Sequence, residues 1–383
     1  MEPYLTTQII TYLGNKRKLL PSIKAIIEEI IAKENVSRLR IGDGFSGSGI
    51  VSRLFKSYAS QLYTNDISDY SFILNQCYLS NVSSENSVRL EAYLIEANKY
   101  ADDYENEKNP YLHPSFVSKY WAPQTADIKP GERVYFTYEN GKRIDIIRNF
   151  IETLREPFKT YLLARLLVEV SIHNNTSGQF SAYYKGEDKR GQYGGKHNID
   201  LQRIEGKIKL TMPIFNNTTH VTSDHIHVDK LDTTIWAKTI PALDLVYYDP
   251  PYNKHPYSIY YFLLNIISCW DTSQHIPMTT RGQPLDWHRS AYNSFKHAKS
   301  EFDSLIKATN AKYILISYNS GGIIPIDTMD AILSKYGNVR KIPVEHKTYN
   351  RLKGISEYKR TTEKAEIKEF FWLLEKSTLN HST

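Results

Sequence analysis

Apolar residues recur at spacings of three and four from Lys16 to Lys33: Leu19, Leu20, Ile23, Ile26, Ile27, Ile30 and Ile31 share one face. That periodicity predicts an amphipathic helix. The short apolar stretch Leu39 to Ile41 predicts a buried strand running into Gly42-Asp43-Gly44-Phe45-Ser46-Gly47-Ser48-Gly49. Helical spacing returns from Ile50 to Tyr58. A second strand, Leu62 to Thr64, ends at Asn65-Asp66, and a further helix runs through about Cys77. Strand, glycine turn, helix and a strand ending in an acid make the first half of a dinucleotide-type, doubly wound sheet.

The pattern then breaks. Residues from about Ser84 to Arg155 alternate acidic, aromatic and turn-forming stretches, and Glu139-Asn140-Gly141 reads as a hairpin turn. Helical spacing resumes from Tyr161 to Val170. The polar stretch Asn174 to Asn198 carries Gly178, Gly186, Gly191, Gly194 and Gly195, and a loop of that length inside an enzyme is usually functional. Strands follow at His225 to Val228, Leu243 to Tyr248, Lys312 to Ser317 and Glu369 to Leu374, with helices at Ala291 to Ala308 and Ile326 to Tyr336. The apolar run Ile259 to Trp270 contains Asn265 and Ser268 and is too short to cross a bilayer, so it predicts a buried helix. The expected fold is α/β, a doubly wound Rossmann-like core with an inserted region. Its parts are a first half-core over 1–83, a mainly helical insertion over 84–160, a core helix over 161–173, a glycine-rich loop region over 174–222 and a second half-core over 223–383.

Composition adds bounds rather than an answer. With 383 residues, 41% hydrophobic and 23% charged, the chain can bury a large core, which excludes a disordered protein. A net charge of +6 suits a polyanionic partner, though many soluble proteins are equally basic. The two cysteines, Cys77 and Cys269, are far apart and outside any CxxC, which disfavours a disulfide framework or a cysteine zinc site and fits a reducing compartment. His220, His225 and His227 lack a fourth ligand, so no metal is expected. Met1 to Thr11 has no apolar signal core, which points to a cytoplasmic protein without membrane partners. Tyrosines number 29 against 14 phenylalanines. Tyrosine suits wet contacts with bases and phosphates, and an AT-rich coding sequence gives the same excess.

The sharpest chemistry is Asp249-Pro250-Pro251-Tyr252, directly after the apolar strand. Consecutive prolines hold the chain extended and leave carbonyls to accept. A planar amino group has two hydrogens, and the Asp249 carboxylate with the Pro250 carbonyl can take both. That draws the nitrogen lone pair out of conjugation toward an electrophile, while Tyr252 offers a ring for a flipped base. The alternative is a proline turn after an edge strand. Asp43 and Phe45-Ser46-Gly47-Ser48-Gly49 let backbone approach a ligand at a helix start. The turn is neither a G-x-G-x-x-G fingerprint nor a P-loop, and it suits an amino-acid zwitterion better than pyrophosphate. Asp66, about twenty residues on, stands where an acid takes ribose hydroxyls. In Tyr12-Leu13-Gly14-Asn15-Lys16-Arg17-Lys18, a lysine opening a helix opposes the helix dipole, which suggests a ligand carboxylate as partner; a solvated basic cap is the alternative.

Gly14 to Leu20, the Phe-Ser-Gly-Ser-Gly turn, Asp66 and Asp249 to Tyr252 occur in the order seen in Dam-like, alpha-group N6-adenine DNA methyltransferases, which the chain resembles along most of its length. Asn175-Thr176-Ser177-Gly178 and Tyr247 to Asn265 look especially like FokI-type methylases. The resemblance implies S-adenosylmethionine as cofactor, held by Tyr12, Gly14, Asn15, Lys16, Asp43, Phe45, Ser46, Gly47, Gly49, Asp66, Asp229 and Asp249. It implies that Asp249, Pro250, Pro251 and Tyr252 are catalytic. Leu315 to Gly322, with Tyr318 and Asn319, is similar to a later motif supporting the target-base pocket. Tyr349-Asn350-Arg351 departs from the family's aromatic-basic string. Double-stranded DNA is the expected substrate, met by Lys185, Lys189, Arg190, Lys196 and Arg203 from the 174–222 loop and by the 84–160 insertion. A nucleoid-associated cytoplasmic location and a cognate restriction endonuclease follow from the same likeness. The basic run Lys347 to Arg360 reads as a solvated face or a phosphate contact. Methylation of another exocyclic amine, cytosine N4 or an RNA base, and a catalytically silent DNA-binding subunit stay open as alternatives.

Overall fold

The computed structural model describes residues 2–105, 115–217, 219–285, 290–344 and 368–377. Lys347 to Arg360, with Tyr349-Asn350-Arg351, lies outside the described residues. The centre is a seven-stranded sheet ordered β3-β2-β1-β4-β5-β7-β6. The strands are β1 Leu39–Asp43, β2 Ala59–Asn65, β3 Ile226–Asp229, β4 Leu243–Tyr248, β5 Ala311–Asn319, β6 Gly337–Val344 and β7 Glu369–Lys376. The first five are parallel, while β7 runs antiparallel to both β5 and β6. Strand order reverses between β1 and β4, and in such sheets the crevice beyond the carboxyl ends at that point is where ligands bind.

Both sheet faces are covered, which is why β4 and β5 read as near-continuous apolar runs. On one face, helices Leu20–Glu34 and Ile50–Lys56 pack Ile23, Ile27, Leu54 and Phe55 against Ile41, Leu245 and Leu315. On the other, helices Thr233–Thr239, Ala298–Ala308 and Ile326–Leu333 bury Trp236, Phe302 and Met329 against Val246, Ile314 and Trp372. A third apolar core belongs to the insertion. It joins helices Ser84–Glu105, Tyr138–Glu152 and Phe158–Ile172 to two helices that follow sheet strands, Asp69–Leu79 and Phe262–Cys269. Among the described residues, no helix is long and apolar enough to cross a membrane.

The structure corrects several boundaries. Glu139-Asn140-Gly141 is not a hairpin turn but the first turn of helix Tyr138–Glu152, whose N-cap Thr137 accepts a hydrogen bond from the Asn140 amide. The Lys16–Lys33 helix is a 3-10 turn, Lys16–Leu19, followed by Leu20–Glu34. The Ala291–Ala308 segment divides into a 3-10 turn, Ala291–Asn293, and helix Ala298–Ala308. The apolar run from Ile259 narrows to helix Phe262–Cys269. Strand β6 escapes the pattern because it is an edge strand paired only with β7, with Arg340, Lys341 and Pro343 exposed on it.

Candidate active site

The glycine turn after β1 is shaped by the residues around it. Gly47 has φ +52°, and a Cβ there would lie 2.6 Å from the Tyr12 ring. Asp66, just beyond β2, accepts hydrogen bonds from the Gly47 amide and the Ser68 amide, both at 2.9 Å. Its carboxylate therefore braces the turn as well as facing the crevice. Tyr12 stacks on Tyr257 (5.3 Å, 23°) and on Tyr261 (5.1 Å, 19°). The Tyr261 hydroxyl accepts from the Leu13 amide at 2.8 Å. Opposite, Phe45 meets Tyr292 edge-on at 5.3 Å.

These walls enclose a cleft of about 410 Å³ lined by Tyr12, Phe45, Asp66, Asp232, Asp249 and Pro251 among others. Four expected cofactor residues thus reach it. Asn15 instead caps the Lys16–Leu19 turn through the Arg17 amide, Ser46 accepts from Asn75, and Gly14, Gly47 and Gly49 form backbone beneath or beside the wall. Asp229 is set back: its carboxylate accepts the Trp236 indole N–H at 3.0 Å, and Asp232 takes the place at the cleft. Asp232 also caps helix Thr233–Thr239. Three residues past a strand end, it gave no signal that would separate it from an ordinary N-cap.

Asp43 is fully buried below the turn, accepting from the Ser52 hydroxyl at 2.5 Å. Burial pushes its carboxyl up to about 7, helped by repulsion from Asp249 and Asp66. Asp249 is likewise pushed up to about 7, by burial first, against the pull of Lys16. Asp66 is raised by burial as well. Acids raised in this way beside an aromatic-lined cleft suit a cationic ligand, whose charge would favour their ionised forms.

Asp249 directly follows β4, and its side chain is 16% exposed. Lys16 Nζ lies 3.2 Å from Asp249 Oδ1 and 2.5 Å from Glu369 Oε1. The lysine charge is thus answered twice inside the protein. Asp249 Oδ1 is itself buried, turned toward that ammonium. Tyr252 sits beyond the prolines with its edge toward Tyr318 (6.1 Å, 89°), and its carbonyl accepts the Ile323 amide. Gly14, at φ +71°, backs the ring: a methyl group there would collide with the Tyr252 hydroxyl.

Tyr318 and Asn319, expected to support the target-base pocket, lie behind Tyr252. Tyr318 is fully buried and accepts the Ile324 amide, and the Asn319 carboxamide oxygen accepts the Gly321 amide. Both shape the turn behind Tyr252 rather than a surface. Arg203 is also committed inward, donating to the carbonyls of Ile172, Asn174 and Thr176. Lys185, Lys189, Arg190 and Lys196 are exposed. The first three stand on a small hairpin closed by the Lys185–Gly191 bridge. Its base is held by buried Asn175, which bonds the Val134 and Gln192 carbonyls and the Gly194 amide.

The parallel sheet with its reversed seventh strand, an acid-lined crevice at the switch point and Asp-Pro-Pro-Tyr at the end of β4 give the chain a methyltransferase fold. Its family is narrower. The model of D12 class N6 adenine-specific DNA methyltransferases matches residues 12–332, and the chain belongs to that family. It is 30% identical to the type II methyltransferase M.FokI of Planomicrobium okeanokoites over 372 residues, 95% of this chain and 52% of that protein. It is 28% identical to the type II methyltransferase M.NlaIII of Neisseria lactamica over 380 residues, 96% of this chain and 100% of that protein. M.CviAII of Paramecium bursaria Chlorella virus 1 is 29% identical over 89% of this chain and 92% of its own length. The chain therefore spans about half of M.FokI and nearly all of the other two. Adenine-specific DNA methylation is the chemistry of the family.

Proposed function

We propose that the chain methylates the N6 amine of an adenine rotated out of double-stranded DNA, with S-adenosylmethionine as donor, within a restriction–modification pair that includes a cognate endonuclease. The observation that carries this reading is Asp249: a carboxylate at the end of β4 that lines the cleft shared with Tyr12, Phe45 and Asp66, with its Oδ1 turned inward to Lys16. The Asp249 carboxylate, through the oxygen not turned to Lys16, and the Pro250 carbonyl accept the two amine hydrogens, and the nitrogen lone pair is freed to point into the cleft. Tyr252 stacks on the extruded ring and fixes its plane. S-adenosylmethionine, when bound, supplies an electrophilic sulfonium methyl. Tyr12 and Phe45 would hold its apolar parts, while Asp66 and Asp232 would meet hydroxyl and amine hydrogens. As the new N–C bond forms the nitrogen becomes strongly acidic. Its surplus proton passes to the Asp249 carboxylate that already accepts it and on to water, so no strongly basic side chain is required.

The test is methyl transfer from labelled donor to unmethylated DNA, followed by digestion to nucleosides. N6-methyladenine is the expected product, and Asp249→Ala should nearly abolish it while DNA binding stays measurable. Methylcytosine as product, or full turnover by the variant, refutes the assignment.

A further inference from the structure

Glu369 heads β7, directly across from Asn319 of β5, and its side chain is buried. Its Oε1 accepts a hydrogen bond from Lys16 Nζ at 2.5 Å and another from the Ser317 hydroxyl at 3.1 Å. Lys16 comes from the chain's opening turn and Ser317 from β5, so residues about three hundred positions apart in sequence meet at one carboxylate. The same ammonium also faces the buried Asp249 Oδ1, 3.2 Å away. One cation is therefore shared by two carboxylates, and the aligned hydrogen bond goes to the one that lies outside the Asp-Pro-Pro-Tyr motif.

We propose that Glu369 is a positioning residue: it anchors the Lys16 ammonium that faces the buried Asp249 Oδ1, and so holds the Asp249 carboxylate with its other oxygen toward the target amine. The inference rests on the reaction proposed above. Without the Glu369 charge, Lys16 has a single carboxylate left to neutralise. It would then follow Asp249 alone, and the carboxylate would lose the orientation that presents its other oxygen to the base. Ser317 keeps Glu369 from rotating to Asp249's side of the lysine.

The other charged group facing Asp249 is Asp43, from β1 beneath the glycine turn. The phenols of Tyr247, Tyr252, Tyr257 and Tyr318 surround it and are held neutral, because burial raises each of them. None of these changes charge near neutral pH except Asp43, which every variant below retains. Glu369 adds repulsion to Asp249, and Lys16 adds attraction. Removing the Glu369 charge must therefore make Asp249 a stronger acid.

Glu369→Gln keeps the shape and one hydrogen-bond acceptor while removing the charge. The plateau of kcat is expected to fall by about tenfold or more, with donor affinity within about twofold of the native chain. The acid limb of the kcat profile should move to lower pH. Ser317→Ala, which leaves the charge but loosens its seat, should lower kcat less and leave the limb nearly in place. A native plateau in Glu369→Gln, or a fall with an unmoved acid limb, overturns the proposal, the second result being that of a purely structural residue. The Asp249 carboxyl resonance in 13C-aspartate-labelled protein, assigned with Asp249→Asn, gives the same comparison without DNA or donor. Its midpoint should drop in Glu369→Gln, and an unchanged or raised midpoint sinks the proposal even if turnover falls. A native chain without methyl transfer would count against the proposed reaction, and this resonance would still decide the place of Glu369.

Discussion

Tyr252 has its hydroxyl against Gly14, its edge against Tyr318 and the Lys16 ammonium 5.7 Å from its ring centroid. These neighbours set the plane of the ring, so the proposed stacking would use an orientation already fixed. Tyr252→Ala is expected to weaken capture of the extruded base by about 1–3 kcal/mol, and Tyr252→Phe to restore most of it. Fluorescence of 2-aminopurine at the target position reads this directly; equal losses in the two variants would mean that the hydroxyl, not the face, matters. The motif around Tyr252 was legible in sequence because prolines and an acid after an apolar strand carry their chemistry locally. Glu369 was not legible. It is a glutamate opening a strand, and its partners Lys16, Ser317 and Asp249 are gathered only by the crossing of β4, β5 and β7.

The hairpin around Lys185–Gly191 projects from a base fixed by Asn175, so its tip can meet DNA without the loop having to order first. Replacing Lys189 and Arg190 by Ala should weaken binding similarly on all sequences and lower the salt slope by about one for each phosphate no longer neutralised. Titrations at several salt concentrations check this, and an unchanged slope would remove the hairpin from the interface. Elements with clean periodicity, such as Leu20–Glu34 and β4, stood out in the sequence almost as folded. Helix Ser84–Glu105 did not. Leu90, Leu94, Ala97 and Ala101 form its buried stripe, but Val88 and Ile95 lie exposed off it and blur the pattern. In Tyr138–Glu152, the Asn140-Gly141 pair imitates a turn, and the Thr137 cap overrides it.

Taken as one body, the molecule has an insertion that is not an appendage. Its apolar core takes in Leu74 and Cys77 from the helix after β2, and Leu263, Leu264 and Ile267 from the helix after Asp-Pro-Pro-Tyr. The insertion and the sheet are thus expected to unfold together. Native-state hydrogen exchange should give helix Phe158–Ile172 and strand β4 the same limiting free energy of opening. A distinctly lower limit for the helix would show that the insertion melts on its own.

The helix Phe262–Cys269 begins ten residues after Tyr252. It turns Leu263, Leu264 and Ile267 into the insertion core, while Phe262, Asn265, Ile266 and Cys269 line the cleft. It is a party wall between the insertion and the cleft. We propose that the insertion reads the DNA sequence; a duplex carrying the wrong letters would then seat it badly and tilt that wall. Fidelity should accordingly show up as slowed turnover on near-miss sites that still dock, a brake applied after arrival.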